Sequence, residues 1–421
     1  MQRLIIEGGE RLNGEVDVHG AKNSSLPILA ATILYGGKSV LRNCPNLSDV
    51  DAAIKILTFL GCSVVRENDT VIIDSSNIDK SEIPQELMHE MRSSIVFLGA
   101  IISRMNKAKL SFPGGCELGP RPIDLHISAL KQLGVDIVEE YGSLCCEAKN
   151  GLNGVKISLA FPSVGATENI MLASVMAKGE TIIVNAAQEP EIVDLANFLI
   201  SRGAKIKDAG KSTVIIEGVN QLNDAEYTVM PDRIVATTYL CCAAISGGTV
   251  LVNKMNTNDI ESILPILEQS GCKMQVYSDK IQIAGPSIIR PVKNIRTMPY
   301  PGFPTDAQAP IMALLTLSSG TSIFVENIFE SRYKHASELV RMGADIKIEG
   351  KVAIVQGVKK LYGADVEATD LRGGAALCVA ALAAHGKTKI NSISHIDRGY
   401  EAIEKSLSKL GAKIKRERYK A

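Results

Sequence analysis

Leu57-Thr-Phe-Leu-Gly61-Cys-Ser-Val reads as an apolar helix end, a glycine and the first residues of a strand. The pattern returns as Leu130-Lys-Gln-Leu-Gly134-Val-Asp-Ile, Leu199-Ile-Ser-Arg-Gly203-Ala-Lys-Ile and Leu267-Glu-Gln-Ser-Gly271-Cys-Lys-Met. It closes with Leu339-Val-Arg-Met-Gly343-Ala-Asp-Ile and Leu407-Ser-Lys-Leu-Gly411-Ala-Lys-Ile. Successive glycines lie 73, 69, 68, 72 and 68 residues apart, so the chain is six copies of one unit. Glycine suits the positive φ that closes a helix, and the residues after it alternate as a half-buried strand does. A repeated scaffold leaves its exceptions as candidates for chemistry.

Working outward, small-residue turns open strands at Gly37, Gly179, Gly248, Gly320 and Gly386, and Lys107 opens one without the glycine. Upstream of each lies an apolar run: 24–34, 93–103, 166–177, 233–245, 307–318 and 373–385. Having little polar face, these runs predict helices buried on nearly all sides. Each unit then reads strand, buried helix, strand, amphipathic helix ending in glycine, and one or two strands. Solenoid periods are shorter than this, which favours compact α/β units packed around shared helices. Six units divide into two domains of three, 21–229 and 1–20 plus 230–421, if the first strands pair with the C-terminal end. Ligands prefer clefts between domains, and helix starts are natural anion sites.

Composition narrows the class. A length of 421 residues, 46% hydrophobic, allows a large core. Zero formal net charge argues against a general nucleic-acid or anionic-membrane binder, and 4% aromatics without Trp argues against base stacking. No run resembles a signal peptide or a membrane span. Nine scattered cysteines without Cys-x-x-Cys suggest reduced thiols in a cytoplasmic protein rather than disulfides or zinc.

The exceptions gather at the mouths of the apolar helices: Lys22-Asn23, Arg92, Ser163-Val164-Gly165, Asp232-Arg233, Asp306 and Asp370-Leu371-Arg372. Capping accounts for Asp232 and Ser163. It does not account for Lys22, Arg92 and Arg372, since a cation at a helix start opposes the macrodipole and calls for an anion. Arg332 and Arg398 follow later strands, where surface ion pairs are the plain alternative. The second unit carries Pro113-Gly-Gly-Cys116-Glu-Leu-Gly-Pro-Arg121-Pro-Ile-Asp124-Leu-His126, the composition of a shaped, exposed loop. There a thiol beside Arg121 and His126 is either a proton donor or an incidental surface cysteine. Cys62, Cys241, Cys242, Cys272 and Cys378 read as small core residues.

At these residues the chain resembles the enolpyruvyl transferases, on the branch that acts on UDP-N-acetylglucosamine. The resemblance runs through all six units, and its most specific marker is Pro113-Gly-Gly-Cys116-Glu-Leu-Gly-Pro-Arg121-Pro. The fold it implies is α/β: a two-domain inside-out α/β barrel of six βαβαββ units with buried helices. The reaction it implies moves the enolpyruvyl group of phosphoenolpyruvate onto the 3-hydroxyl of UDP-N-acetylglucosamine and releases phosphate, without metal or cofactor. It is the first committed step of peptidoglycan precursor synthesis and the target of fosfomycin.

By the same resemblance, Cys116 is the general acid that protonates the methylene carbon. Lys22, Arg121 and Arg398 meet the phosphate, with Asn23 alongside, and Arg332 and Arg372 meet the carboxylate. Asp306 accepts the sugar hydroxyl proton, and Asp370 assists proton transfer near Lys22. Arg92 is a substrate contact. Arg121, Pro122, Ile123, Asp124 and Leu125 hold the uracil, Ser163, Val164 and Gly165 offer amides to the diphosphate, and Ile328 meets the sugar amide. Where some members place a Lys before the Ser-Val-Gly turn, this chain has Phe161-Pro162, which removes one salt bridge. A sister transferase acting on shikimate 3-phosphate lacks the cysteine loop. A catalytically silent homologue would be the alternative of another class.

Overall fold

A computed structural model describes residues 2–111 and 123–419. They form two compact units, residues 20–111 with 123–230, and residues 2–19 with 231–419. Each unit contains three repeats. All six repeat glycines take φ between 97° and 105°, the left-handed region where a side chain is strained. Each closes an amphipathic helix and turns the chain into the outer strand of a sheet.

The six apolar runs form the helices Lys22–Ala31, Phe97–Met105, Val164–Ser174, Arg233–Ser246, Thr305–Leu315 and Leu371–Ala383. Their burial is nearly complete: in the fourth, every residue except Ser246 is buried. In each unit the helices lie inside and four-stranded sheets carry their polar faces outward. The second run departs from the expected helix, beginning as a 3-10 turn, Arg92–Val96. The cause is Asn169 of the third helix. Its Nδ2 donates to the Ile95 carbonyl at 3.0 Å and its Oδ1 accepts from Gly99 N at 2.7 Å. That amide intercepts the i→i−4 pair an α-helix would have made there.

Each sheet holds one parallel and two antiparallel pairings, and in all but the sixth the outer antiparallel pair is a hairpin. Repeats three and five are βαβαββ in unbroken sequence. Repeats one and four exchange their leading strands. Asn13–Asp17 precedes the first buried helix in sequence but pairs in parallel with Thr249–Asn253 of the fourth repeat. Ala225–Thr228 precedes the fourth helix but pairs with Lys38–Arg42 of the first. The sixth repeat has no second hairpin strand of its own. Gln2–Glu7 fills that place, antiparallel to both Lys387–Asn391 and Lys413–Arg418.

Capping at Asp232 and Ser163 is as expected. Asp232 accepts from Ile234 N and Val235 N at 2.9 and 3.0 Å, and Ser163 from Ala166 N at 3.3 Å. Among the described residues, no helix is long and apolar enough to cross a membrane.

Candidate active site

The starts of the fifth and sixth buried helices, with the turn before the helix Lys334–Arg341, bring three of the singled-out residues into contact. Asp306, in the first turn of Thr305–Leu315, is gripped on both oxygens. Arg332 Nη2 donates to Oδ1 at 2.9 Å, and Arg372 Nε and Nη2 donate to Oδ2 at 3.2 and 3.1 Å. Both arginine side chains are 2–3% exposed, against 27% for Asp306. Arg332 is therefore a buried cation, not the partner of a surface ion pair. The counter-anion demanded by Arg372 at a helix start is supplied from within the unit. Burial disfavours the Arg372 cation, but Asp306 and the Tyr400 hydroxyl outweigh it and push its pKa up.

Tyr400 was not singled out by sequence. Thr238 Oγ1 donates to the Ile234 carbonyl, so at 2.8 Å the Tyr400 hydroxyl donates to Thr238 Oγ1 and accepts from Arg372 Nη1 at 3.3 Å. Asp370 caps the sixth helix, accepting from Arg372 N and Gly373 N at 3.0 Å each. Leu371 opens that helix, and Arg398 ends the 3-10 turn Ile393–Arg398 half-buried.

Glu326 was also missed, although strand alternation gives the signal. Ser322, Phe324 and Glu326 share the buried face of Thr321–Val325 and its extension, and a carboxylate there needs partners. Its Oε1 accepts from Thr297 Oγ1, Ile328 N and Phe329 N at 3.0, 2.9 and 3.1 Å, and its Oε2 from Thr305 Oγ1 at 3.0 Å. One buried carboxylate thus sets the backbone at Ile328 and the residue before Asp306.

The other unit holds a second group. Lys22 opens the first buried helix and lies 3.5 Å from Asp49 Oδ2, a 2%-exposed carboxylate that sequence reading passed over. Asn23 is half-buried beside it. Asp194 anchors this helix start: it accepts from Ser24 Oγ, from Tyr227 OH at 2.6 Å and from Met230 N at 3.2 Å. Ser163 caps the third helix, which Val164 and Gly165 open; its hydroxyl takes the Ala166 amide, and the earlier first-turn amides have no intrahelical acceptor.

Ile123 and Leu125 are half-buried, and exposed Asp124 opens the helix Asp124–Gln132. His126, singled out in the sequence beside the loop, follows on the same helix. It is buried, and burial pushes its imidazole down to about 4. Asn169 Nδ2 lies 2.9 Å from its Nδ1, and because that amide is oriented by Ile95 and Gly99, Nδ1 accepts and Nε2 carries the proton. An added Cβ on Gly165 would stand 3.2 Å from His126 Cε1, so this glycine admits the ring.

Cys116, Arg121 and Pro122 lie outside the described residues, as does the side chain of Arg92. The eight described cysteines are free, and all but Cys145 are buried. Burial pushes Cys62 and Cys378 up to about 12 and Cys44 and Cys146 up to about 11. Cys62, Cys241, Cys242, Cys272 and Cys378 are core residues, as their apolar surroundings in the sequence suggested.

Comparison with known proteins covers this whole framework. The family model described as EPSP synthase (3-phosphoshikimate 1-carboxyvinyltransferase) matches residues 6–407. A protein of Caldanaerobacter subterraneus subsp. tengcongensis, named UDP-N-acetylglucosamine 1-carboxyvinyltransferase 2, is 53% identical over 416 residues, 99% of this chain and 100% of its own. The UDP-N-acetylglucosamine 1-carboxyvinyltransferase of Trichlorobacter lovleyi is 47% identical, over 99% of each chain. Among solved structures, the enolpyruvyl transferase NikO of Streptomyces tendae matches with a TM-score of 0.90 at 25% identity, over 99% of this chain and 98% of that one. EPSP synthase of Acinetobacter baumannii matches at 0.76 and 18% identity, over 99% and 100%, a likeness of fold. The six-unit inside-out α/β arrangement is that of these proteins.

Proposed function

The chain belongs to the EPSP synthase family of carboxyvinyl transferases, and from that premise we propose how its residues divide the work of enolpyruvyl transfer. The reaction moves the enolpyruvyl group of phosphoenolpyruvate to the 3-hydroxyl of UDP-N-acetylglucosamine and releases phosphate, the entry to peptidoglycan precursors. One observation carries this: identity of about half over the full length with relatives named for that activity. Shikimate 3-phosphate is the acceptor in the sister reaction for which the family model is named.

In the addition step the methylene carbon gains a proton while the sugar oxygen bonds to the neighbouring carbon. The adduct then loses a proton from that methyl group and phosphate from the carbon that bore it. Cys116 is the general acid by its resemblance to the family's cysteine loop. Asp306 is the base for the sugar hydroxyl. A carboxylate gripped by two guanidinium groups is a weak base, so at least one arginine must release it. The phosphoenolpyruvate carboxylate is the competing anion that draws Arg332 and Arg372 away, coupling substrate arrival to base activation. Lys22, Asn23, Arg121 and Arg398 neutralise the phosphate through charge-assisted contacts, with Asp370 assisting proton transfer near Lys22. Arg92, Pro122, Ile123, Asp124, Leu125, Ser163, Val164, Gly165 and Ile328 hold the nucleotide sugar. Amides at the start of the third helix are suited to its diphosphate.

Phosphate release from phosphoenolpyruvate tests this reading. Release should require UDP-N-acetylglucosamine, should not be supported by shikimate 3-phosphate, and should fall at least about 100-fold in Cys116→Ala. Release supported only by shikimate 3-phosphate, or unaffected by the substitution, would overturn the acceptor or the acid respectively.

A further inference from the structure

One buried group beside the Asp306 clamp has no place in the mechanism above. His335, in the helix Lys334–Arg341, is fully buried, and among the described residues its ring nitrogens lack a well-formed hydrogen bond, although the Arg332 backbone lies close enough to act on the ring. Three residues earlier, the Arg332 Nε–H is buried and equally without an acceptor, although Nη2 of the same guanidinium is committed to Asp306 and the Thr305 carbonyl. A buried donor left unmade costs about 1–3 kcal/mol, and a ring nitrogen in the same state adds to it. A phenyl or leucyl group would avoid the second cost entirely. The histidine is therefore unexplained by packing, and its surroundings point to the clamp.

Those surroundings are tight. Glycine at 373 leaves room for His335: a Cβ there would stand 2.9 Å from His335 Cβ and 2.8 Å from Asp370 Oδ2. The ring senses the charges of Asp370 and Arg332 in opposite directions. Burial, the largest influence, pushes it down to about 4 and keeps it neutral at ordinary pH. A neutral imidazole has one acceptor nitrogen, the group that Arg332 Nε–H lacks.

We infer that His335 is a positioning residue for Arg332: it accepts the Arg332 Nε–H when the outer nitrogen of that guanidinium leaves Asp306 for the substrate carboxylate. The bond is unmade in the clamped arrangement and made in the released one, so His335 biases Arg332 towards release and frees the base. This rests on the enolpyruvyl transfer reading. It predicts a specific kinetic signature, since only the phosphoenolpyruvate carboxylate competes for Arg332.

The test compares His335→Phe, which keeps a ring but no acceptor, with His335→Gln, which restores one. In His335→Phe, kcat/KM for phosphoenolpyruvate should fall about tenfold or more, the worth of one hydrogen bond to a charged group, with the melting temperature unchanged or raised. KM for UDP-N-acetylglucosamine should stay at its wild-type value, and His335→Gln should recover kcat/KM to within about threefold of wild type. A Phe variant as active as wild type, or a Gln variant no better than Phe, would overturn the inference while wild-type turnover left the transferase reading intact. Should the Phe variant not fold, imidazole 15N spectra of the wild-type protein decide the matter. The acceptor nitrogen should shift when phosphoenolpyruvate and UDP-N-acetylglucosamine are added together, and an unchanged signal would refute the proposed bond.

Discussion

Asp306 carries more structural load than a half-exposed carboxylate at a helix start would suggest. It is the shared counter-ion of two guanidinium groups that are almost wholly out of water. Removing one partner of a buried ion pair leaves an uncompensated charge, which costs about 3–5 kcal/mol. Asp306→Ala should therefore lower the melting temperature clearly as well as abolish turnover. Asp306→Asn keeps an acceptor oxygen, so it should lose at least about 100-fold in phosphate release with a smaller loss of stability. Thermal melts of the two variants beside their activities would check this. An Ala variant as stable as wild type would mean that the clamp holds nothing in place. Glu326 acts at the same scale, because one carboxylate satisfies two backbone amides and two threonine hydroxyls around the residues that present Asp306.

At the scale of elements, the six glycines play one conformational role in different surroundings. Gly411 has φ of 98° with nothing within 4 Å of an added Cβ. Gly61 has φ of 105°, and its Cβ would meet the Asn77 carbonyl oxygen at 2.7 Å. Gly411→Ala should thus cost only the left-handed backbone penalty, about 1–2 kcal/mol, while Gly61→Ala adds a clash with backbone and costs more. Urea midpoints of the two variants measure the difference, and equal losses would show that the Asn77 segment yields freely. The broken start of the second buried helix is also an element-scale effect. The side chain that breaks it, Asn169, sits on a different helix about 70 residues away in sequence.

At the scale of the whole molecule, each unit buries one neutral histidine, His126 in one and His335 in the other. Burial lowers both from 6.5 to about 4. A folded-state pKa below the unfolded value means that the unfolded chain takes up protons first as pH falls. The stability held above pH 6.5 is then lost progressively down to about pH 4, on the order of 3 kcal/mol for each ring. Urea midpoints measured between pH 7 and pH 4 should decline, and the decline should be shallower in His335→Phe. A midpoint flat across that range would contradict neutral burial of the two rings. Both units also depend on strands borrowed across the sequence: Gln2–Glu7 and Asn13–Asp17 complete sheets of one unit whose other strands lie beyond residue 240, and Ala225–Thr228 completes a sheet of the other whose remaining strands lie before residue 75.

Sequence by itself determined the repeat, the six buried helices, the helix-closing glycines and the cations at helix mouths. These depend on period and on local backbone preference, which neighbouring residues settle among themselves. Tertiary structure alone decided that Arg332 and Arg372 share Asp306, that Lys22 meets Asp49, and that His126 turns inward. It also decided which strand completes which sheet, how Glu326 and Tyr400 support the clamp, and that His335 is buried near it. Such contacts join residues dozens to hundreds of positions apart. Whether a charge is paired, desolvated or neutral depends on what burial brings beside it, a property no local pattern contains.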